Sequence, residues 1–76
     1  MKKFKEELEA YNKALEINPT LDRAWYNKGI ALYQLGRYNE SIEAFNKAIE
    51  INPTKEVIVN RDFVLGIMKN RSKNAS

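Results

Sequence analysis

The sequence predicts an all-α protein of about four helices, arranged as antiparallel helix-turn-helix repeats, and three observations lead to this prediction. Residues 4–20 recur as residues 38–54, at a distance of 34 residues and with 11 of 17 positions identical. In both copies the apolar residues lie three and four positions apart, which is the period of one helix face. Both copies end in Asn-Pro-Thr, and a residue that precedes proline is disfavoured in a helix.

The two copies predict the first and the third helix. Each has one apolar stripe, and the matched residues are Phe4, Leu8, Tyr11 and Leu15 in the first copy and Tyr38, Ile42, Phe45 and Ile49 in the second. We expect these helices to end at Asn18 and Asn52, before the prolines. Thr20 and Thr54 follow, where a side-chain oxygen can cap the N-terminus of the next helix.

A second helix is predicted between the copies, over about residues 21–35. Its apolar face contains Trp25, Gly29, Leu32 and Leu35. Gly36 comes directly after that face, where a glycine commonly ends a helix in the left-handed conformation. Because the next helix begins two or three residues later, the two helices are expected to form an antiparallel hairpin. Gly29 has no Cβ, so the other helix of the hairpin can approach it closely.

A fourth helix is predicted over about residues 56–71. It contains Val-Ile-Val at positions 57–59, a sequence that favours a β-strand. Since no other segment could pair with such a strand, a helix is the better interpretation. Residues 72–76 are expected to form a frayed end. A chain of 76 residues has room for one small domain.

The composition excludes several classes of function. Cysteine and histidine are absent, which excludes disulfides and thiolate sites and removes the commonest general base and metal ligand. Nothing indicates carboxylates that converge in a dry pocket, so we expect no catalytic residue, no metal and no cofactor. No apolar run approaches the roughly 18–20 residues of a membrane span, and no apolar stretch follows the basic N-terminus. We therefore expect a cytoplasmic protein that does not bind membranes.

The net charge of +3 arises entirely after residue 60. The excess comes from Arg61, Lys69, Arg71 and Lys73 against Asp62. Such a small excess without interleaved aromatic residues does not indicate a surface for nucleic acid, and we expect no nucleic-acid partner.

A 34-residue period of paired helices resembles the tetratricopeptide repeat. The residues that carry the resemblance are Trp25, Gly29, Phe45, Ala48 and Pro53. Two positions depart from it, since Lys28 and Leu32 replace the usual leucine and tyrosine. The resemblance implies one complete repeat over residues 22–55, preceded over residues 1–21 by the second helix of another repeat. Residues 56–71 then form a terminal helix that matches poorly, with Phe63 at the position of the repeat's small glycine.

In this family the first helices of the repeats line a concave groove that holds an extended peptide or a partner's helix, without catalysis. The resemblance therefore implies a scaffold that binds protein. The residues that would line the groove are Arg23, Tyr26, Asn27, Ile30, Tyr33 and Gln34 from the second helix, and Asn60, Arg61 and Val64 from the fourth. Arg23 and Arg61 favour an acidic peptide.

Some members of the family clamp a C-terminal carboxylate. Asn27 and Arg61 match two of the five groups of such a clamp, but Val57 stands where a lysine is needed. We therefore do not expect a complete clamp in this chain.

Self-association is an alternative function and would make the protein a homo-oligomer. The first and fourth helices each lack their usual partner helix, and uncovered apolar residues mark an interface. The residues expected there are Phe4, Leu8, Val64, Leu65, Ile67 and Met68. In a regular composite repeat Phe63 would oppose Glu7, a poor fit that favours an exchanged or irregular dimer. The same uncovered ends also fit a piece of a longer repeat array.

Overall fold

The computed structural model describes residues 3–74, and the side chains of residues 3–71. Within this part of the chain there are four α-helices and no β-strand: α1 (Phe4–Ile17), α2 (Asp22–Gln34), α3 (Tyr38–Ile51) and α4 (Lys55–Asn74). The predicted all-α fold is therefore confirmed. α2 packs on both α1 and α3, and α4 packs on α3. No helix in the described residues is long and apolar enough to cross a membrane.

The turn between α2 and α3 forms at Gly36, as predicted. Gly36 has a φ of 79° and adopts the left-handed conformation. Its N–H donates to the Tyr33 carbonyl (3.0 Å), and the Arg37 N–H donates to the Leu32 carbonyl (2.9 Å). These two bonds satisfy carbonyls at the end of α2 and turn the chain back into α3.

The two Asn-Pro-Thr segments end α1 and α3 as predicted, but they begin the next helices differently. Asn18 and Asn52 both have extended backbone conformations. Thr54 caps α4, since its Oγ1 accepts a hydrogen bond from the Val57 N–H (3.4 Å). The cap predicted at Thr20 is wrong, because this hydroxyl turns back and donates to Oδ1 of Asn18 (2.8 Å). α2 therefore begins without a side-chain cap.

α4 is longer than predicted at both ends. It begins at Lys55 and continues to Asn74, so helix replaces the frayed end expected over residues 72–74. No glycine or proline follows Gly66 to stop the helix, and positive residues in the last turns are favourable to the helix dipole. Residues 75 and 76 lie outside the described residues.

α2 and α3 approach each other closely at Gly29. A Cβ placed on Gly29 would lie 2.6 Å from Cδ1 and Cε1 of the Phe45 ring, which is only 1% exposed. The hydroxyl of the buried Ser41 donates a hydrogen bond to the Gly29 carbonyl (2.7 Å). The close approach predicted for Gly29 is confirmed, and an aromatic ring fills the space that a side chain would need.

α1 covers another side of α2. Leu8 is buried in a cluster with Leu32 and Ala44, and Trp25 packs against this cluster. The Trp25 indole N–H donates to the Pro19 carbonyl (2.8 Å), which ties α2 to the segment that follows α1. The hairpin of α2 and α3 is thus held from the side of α1 as well.

α4 does not repeat the packing of α2. Its buried residues are Val57 and Val64, which form a cluster with Phe45 and Ala48 of α3. Phe63, one repeat period after Gly29, is 57% exposed. α4 therefore lies against α3 through a different face from the one that α2 buries.

Candidate functional site

The groove residues predicted on α2 form a row along that helix. The half-buried members are Tyr26, Asn27, Ile30 and Tyr33, and the exposed members are Arg23 and Gln34. Three of them, Tyr26, Ile30 and Tyr33, pack against the cluster that α3 and α4 share. Since α2 and α4 both pack on α3, this row lines the space between α2 and α4.

Two polar contacts join α2 to α4 along this space. The Asn60 side-chain amide donates a hydrogen bond to the Tyr26 hydroxyl (3.1 Å). Near the start of both helices, Nη1 of Arg23 lies 3.6 Å from Oε1 of Glu56. Both charged side chains are exposed, so this ion pair contributes little to stability. The structure therefore brings together three residues predicted for the groove.

The Tyr26 hydroxyl remains protonated at neutral pH and can serve as a hydrogen-bond donor. Partial burial raises the pKa of Tyr26 above its ordinary value, and the negative charge of Glu56 adds to the shift. Arg23 and the hydrogen bond from Asn60 act in the opposite direction. Because the oxygen accepts from Asn60, the hydroxyl proton is available to a ligand. The half-buried Asn27 amide lies one position along α2 and adds a donor and an acceptor.

Two residues predicted for the groove have other contacts. Val64 is 2% exposed and packs with Phe45, so it belongs to the core and its assignment to the groove surface is wrong. Arg61 donates a hydrogen bond to Oδ1 of Asn46 (3.1 Å) and lies 3.2 Å from the Asp62 carboxylate. Its polar contacts therefore join α4 to α3 and not to α2.

Matches to known families agree with this architecture. The family model described as "Tetratricopeptide repeat" matches residues 22–55, and the model described as "TPR repeat" matches residues 2–36. The chain belongs to the tetratricopeptide repeat family. Tetratricopeptide repeats generally mediate protein–protein interactions, and the family is a non-catalytic interaction module.

An uncharacterized protein of Methanocaldococcus jannaschii is similar to this tetratricopeptide repeat chain over part of its length. The two sequences are 58% identical over 31 residues, which make up 41% of this chain and 36% of that protein. The matched stretch therefore spans well under half of either protein.

α4 follows the residues 22–55 that match the tetratricopeptide repeat, and it does not bury the positions equivalent to those that α2 buries. One period separates Val57 from Arg23 and Val64 from Ile30, yet both valines are buried. Val57 is also the position at which a carboxylate clamp needs a lysine. A core side chain thus replaces a charge that such a clamp requires.

The packing of α4 brings two residues beside the predicted row on α2 that repeat positions alone did not indicate. Phe63 meets the Tyr33 ring edge-on, with centroids 6.0 Å apart, and Glu56 pairs with Arg23. In the resemblance to the tetratricopeptide repeat, Phe63 stands at the position of the small glycine. Its helical spacing to Glu56 and Asn60, of seven and three residues, is the signal that places all three on one face.

The residues predicted for self-association are only partly exposed. Leu8 and Val64 are buried within the chain, which corrects their assignment to an exposed interface, because α2 and α3 respectively already cover them. The other members are Phe4, Ile67 and Met68, which are half-buried, and Leu65, which is 41% exposed. Of these six residues only Leu65 is therefore exposed, and the other exposed large apolar side chains of this tetratricopeptide repeat protein include Val59 and Phe63 on α4 and Ile17 on α1.

Proposed function

We propose that this protein binds an extended peptide, or a helix of a partner protein, in the groove between α2 and α4, and that it acts without catalysis. The observation that carries the proposal is the hydrogen bond from Asn60 to Tyr26. It joins two positions that are one repeat period apart, so α2 and α4 lie side by side at this point. Stacked helical repeats bind their partners on concave surfaces made in this way.

The chemistry of the groove suits a peptide main chain with apolar side chains. The Tyr26 hydroxyl can donate, and the Asn27 amide can donate and accept, which matches the N–H and C=O groups of an extended peptide. Ile30 and Tyr33 add apolar area beside these polar groups. Tyrosine is among the residue types that contribute most to binding at protein interfaces.

The test is selection of peptides from a displayed library of random sequences of about 12 residues, a length that spans roughly 40 Å when extended. The affinity of the selected peptides is then measured for the wild type and for Asn27→Ala combined with Tyr33→Ala. We expect the double variant to lose at least about tenfold in affinity, since two interface anchors are removed. Circular dichroism checks that the variant is folded.

Asn12→Ala combined with Tyr11→Ala is the matched control. It removes the same two residue types from α1, where Asn12 is exposed and Tyr11 is half-buried. This variant should keep the wild-type affinity. Unchanged binding by the groove variant, or an equal loss in the control, would contradict the proposal.

Self-association through α4 is a second candidate. Val59 and Leu65 are 56% and 41% exposed, and exposed apolar patches mark interaction surfaces. Light scattering should then give a mass near twice the 8.9 kDa of the chain, rising with concentration. Leu65→Lys combined with Met68→Lys should restore the monomer. A monomer mass for the wild type over a tenfold concentration range would exclude this candidate.

A regular composite repeat between two copies is the least favourable form of such a dimer. In that arrangement Phe63 would take the place of Gly29, and Tyr11 would take the place of Phe45. In the complete repeat even a Cβ at Gly29 would come within 2.6 Å of the Phe45 ring. Two large aromatic side chains do not fit in the same space, so a dimer must use another geometry.

A further inference from the structure

Three aromatic rings from three helices meet at the end of the groove where α2 turns into α3. The Tyr33 ring centroid lies 5.8 Å from that of Tyr38 and 6.0 Å from that of Phe63. We refer to Tyr33, Tyr38 and Phe63 as the aromatic cluster. Phe63 is 57% exposed, so the cluster offers an open apolar surface that is continuous with the Tyr33 side of the groove.

Arg71 lies over one ring of the aromatic cluster, that of Tyr38. Its guanidinium carbon is 5.4 Å from the centroid of the Tyr38 ring, which is within the range of a cation–π contact. The other arginines, Arg23, Arg37 and Arg61, each have a carboxylate oxygen within 4 Å. Among the described residues no carboxylate forms such a pair with Arg71.

The distribution of charge along the groove is therefore uneven. At one end Arg23 is paired with Glu56. Arg61, whose polar contacts lie toward α3, is paired with Asp62. At the other end Arg71 extends the positive excess that arises after residue 60. A negative group in a bound peptide would find its uncompensated counterpart at the Arg71 end.

We propose that the aromatic cluster and Arg71 form a specificity subsite for an acidic peptide. A large apolar side chain of the peptide packs on Phe63, and a neighbouring aspartate or glutamate pairs with Arg71. The inference rests on the proposed function and names the part of the groove that selects the ligand. The preference for acidic peptides is thereby assigned to Arg71, and not to Arg23 and Arg61 as the sequence suggested.

Each contact has a physical basis in the unbound protein. Because Arg71 is stacked on Tyr38, less of its side-chain freedom is lost when a carboxylate binds, and the guanidinium can pair with both carboxylate oxygens. The exposed face of Phe63 is removed from water when an apolar side chain covers it, which is favourable in proportion to the area covered.

The experiment compares the peptides that the full chain and its variants select from the same displayed library. The wild type should enrich peptides with an aromatic residue or leucine within two positions of an acidic residue. Arg71→Gln should reduce the acidic enrichment by about fivefold, the upper range for one exposed charged contact. Arg71→Glu should enrich basic residues at the same position. Arg23→Gln tests the competing assignment at the other end, and the proposal requires that the acidic preference persists in this variant.

Phe63→Ala tests the apolar half of the subsite and should lose the aromatic preference while it keeps the acidic one. If binding still requires Asn27 and Tyr33, but the acidic preference is missing or depends on Arg23, the proposed subsite is wrong. That result would still support the proposed groove. Both proposals fail if no selected peptide requires Asn27 and Tyr33. The acidic and aromatic preferences are read from the sequenced selections, and the requirement for Asn27 and Tyr33 is read from the affinities of the selected peptides.

Discussion

α2 and α4 follow the same Asn-Pro-Thr sequence one period apart, yet they bury different faces. α2 buries Gly29, Ala31 and Leu32, and the α4 counterparts Phe63, Leu65 and Gly66 are exposed. α4 buries Val57 and Val64, and the α2 counterparts are the exposed Arg23 and the half-buried Ile30. The two helices are equivalent in the repeat but not in their packing.

This difference shows that the residue type required at a repeat position depends on what packs against that position, and not on its place in the helix alone. Gly29 is needed in α2 because the Phe45 ring of α3 lies against it. Among the described residues no helix packs on the corresponding side of α4, so Phe63 is accommodated there. The two buried valines, seven residues apart on one helix face, determine which side of α4 meets α3.

Replacement of one phenylalanine by alanine, at Phe45 beside α2 and at Phe63 on α4, should show the difference in packing between the two regions most clearly. Phe45→Ala removes a ring that is 1% exposed and should cost about 3–5 kcal/mol. A domain of this size rarely has more than ~3–5 kcal/mol of stability, so the variant should be largely unfolded. Phe63→Ala should change stability by at most about 1 kcal/mol. Urea unfolding followed by circular dichroism measures both, and equal losses would break the comparison.

Addition of one methyl group to each region should shift stability in opposite directions. In Gly29→Ala the new Cβ meets Phe45, and overpacking of about 1–3 kcal/mol should outweigh the ~1 kcal/mol gain in helix propensity. In Gly66→Ala nothing lies within 4 Å of the new Cβ, so a gain of about 0.5–1 kcal/mol remains. The melting temperature should fall in the first variant and rise in the second.

A double-mutant cycle identifies the cause of the Gly29 effect. Phe45→Leu shortens the side chain that meets the new Cβ, so Gly29→Ala should be less costly in that background. An unchanged cost would show that the ring is not responsible. A lower melting temperature for Gly66→Ala would show that α4 has close packing on its exposed side.

Structural features with a local cause could be predicted from the sequence. The Asn-Pro pairs end α1 and α3, and Gly36 ends α2, because each acts through its own backbone conformation. The difference between Thr54, which caps α4, and Thr20, which does not cap α2, could not be predicted. A hydroxyl can bond to several neighbours, and the local sequence does not decide that Thr20 bonds to Asn18.

Side-chain positions around the candidate site were predictable on α2 and much less so on α4. Tyr26 and Tyr33 lie beside α4, as the resemblance implied, because the complete repeat contains the helix that orients α2. Val64, which was expected at the groove, lies in the core, and Phe63, for which no groove position was expected, contacts Tyr33 of α2. α4 has apolar residues on several faces, so its rotation depends on contacts with α3 that no spacing within α4 reveals.

The smallest expected difference concerns ion pairs in the two regions. Within the hairpin, Nε and Nη2 of Arg37 donate to the two carboxylate oxygens of Glu40 (2.8 and 2.6 Å), which lowers the pKa of Glu40 below its ordinary value. Between α2 and α4, Arg23 and Glu56 have one contact of 3.6 Å. The paired geometry thus favours the charged form of Glu40 in the folded hairpin.

This geometry predicts that the hairpin loses a small part of its stability in acid. Because the pKa of Glu40 is lower in the folded state, its contribution is present above the unfolded-state pKa and is lost as the pH falls through the folded-state pKa. Glu40→Gln should therefore reduce the drop in melting temperature between neutral pH and about pH 3. The effect should be smaller than either glycine shift, since both charges are exposed. Glu43→Gln removes an exposed carboxylate from the same helix, and equal acid sensitivity of the two variants would show that the Arg37 contact does not stabilise the hairpin.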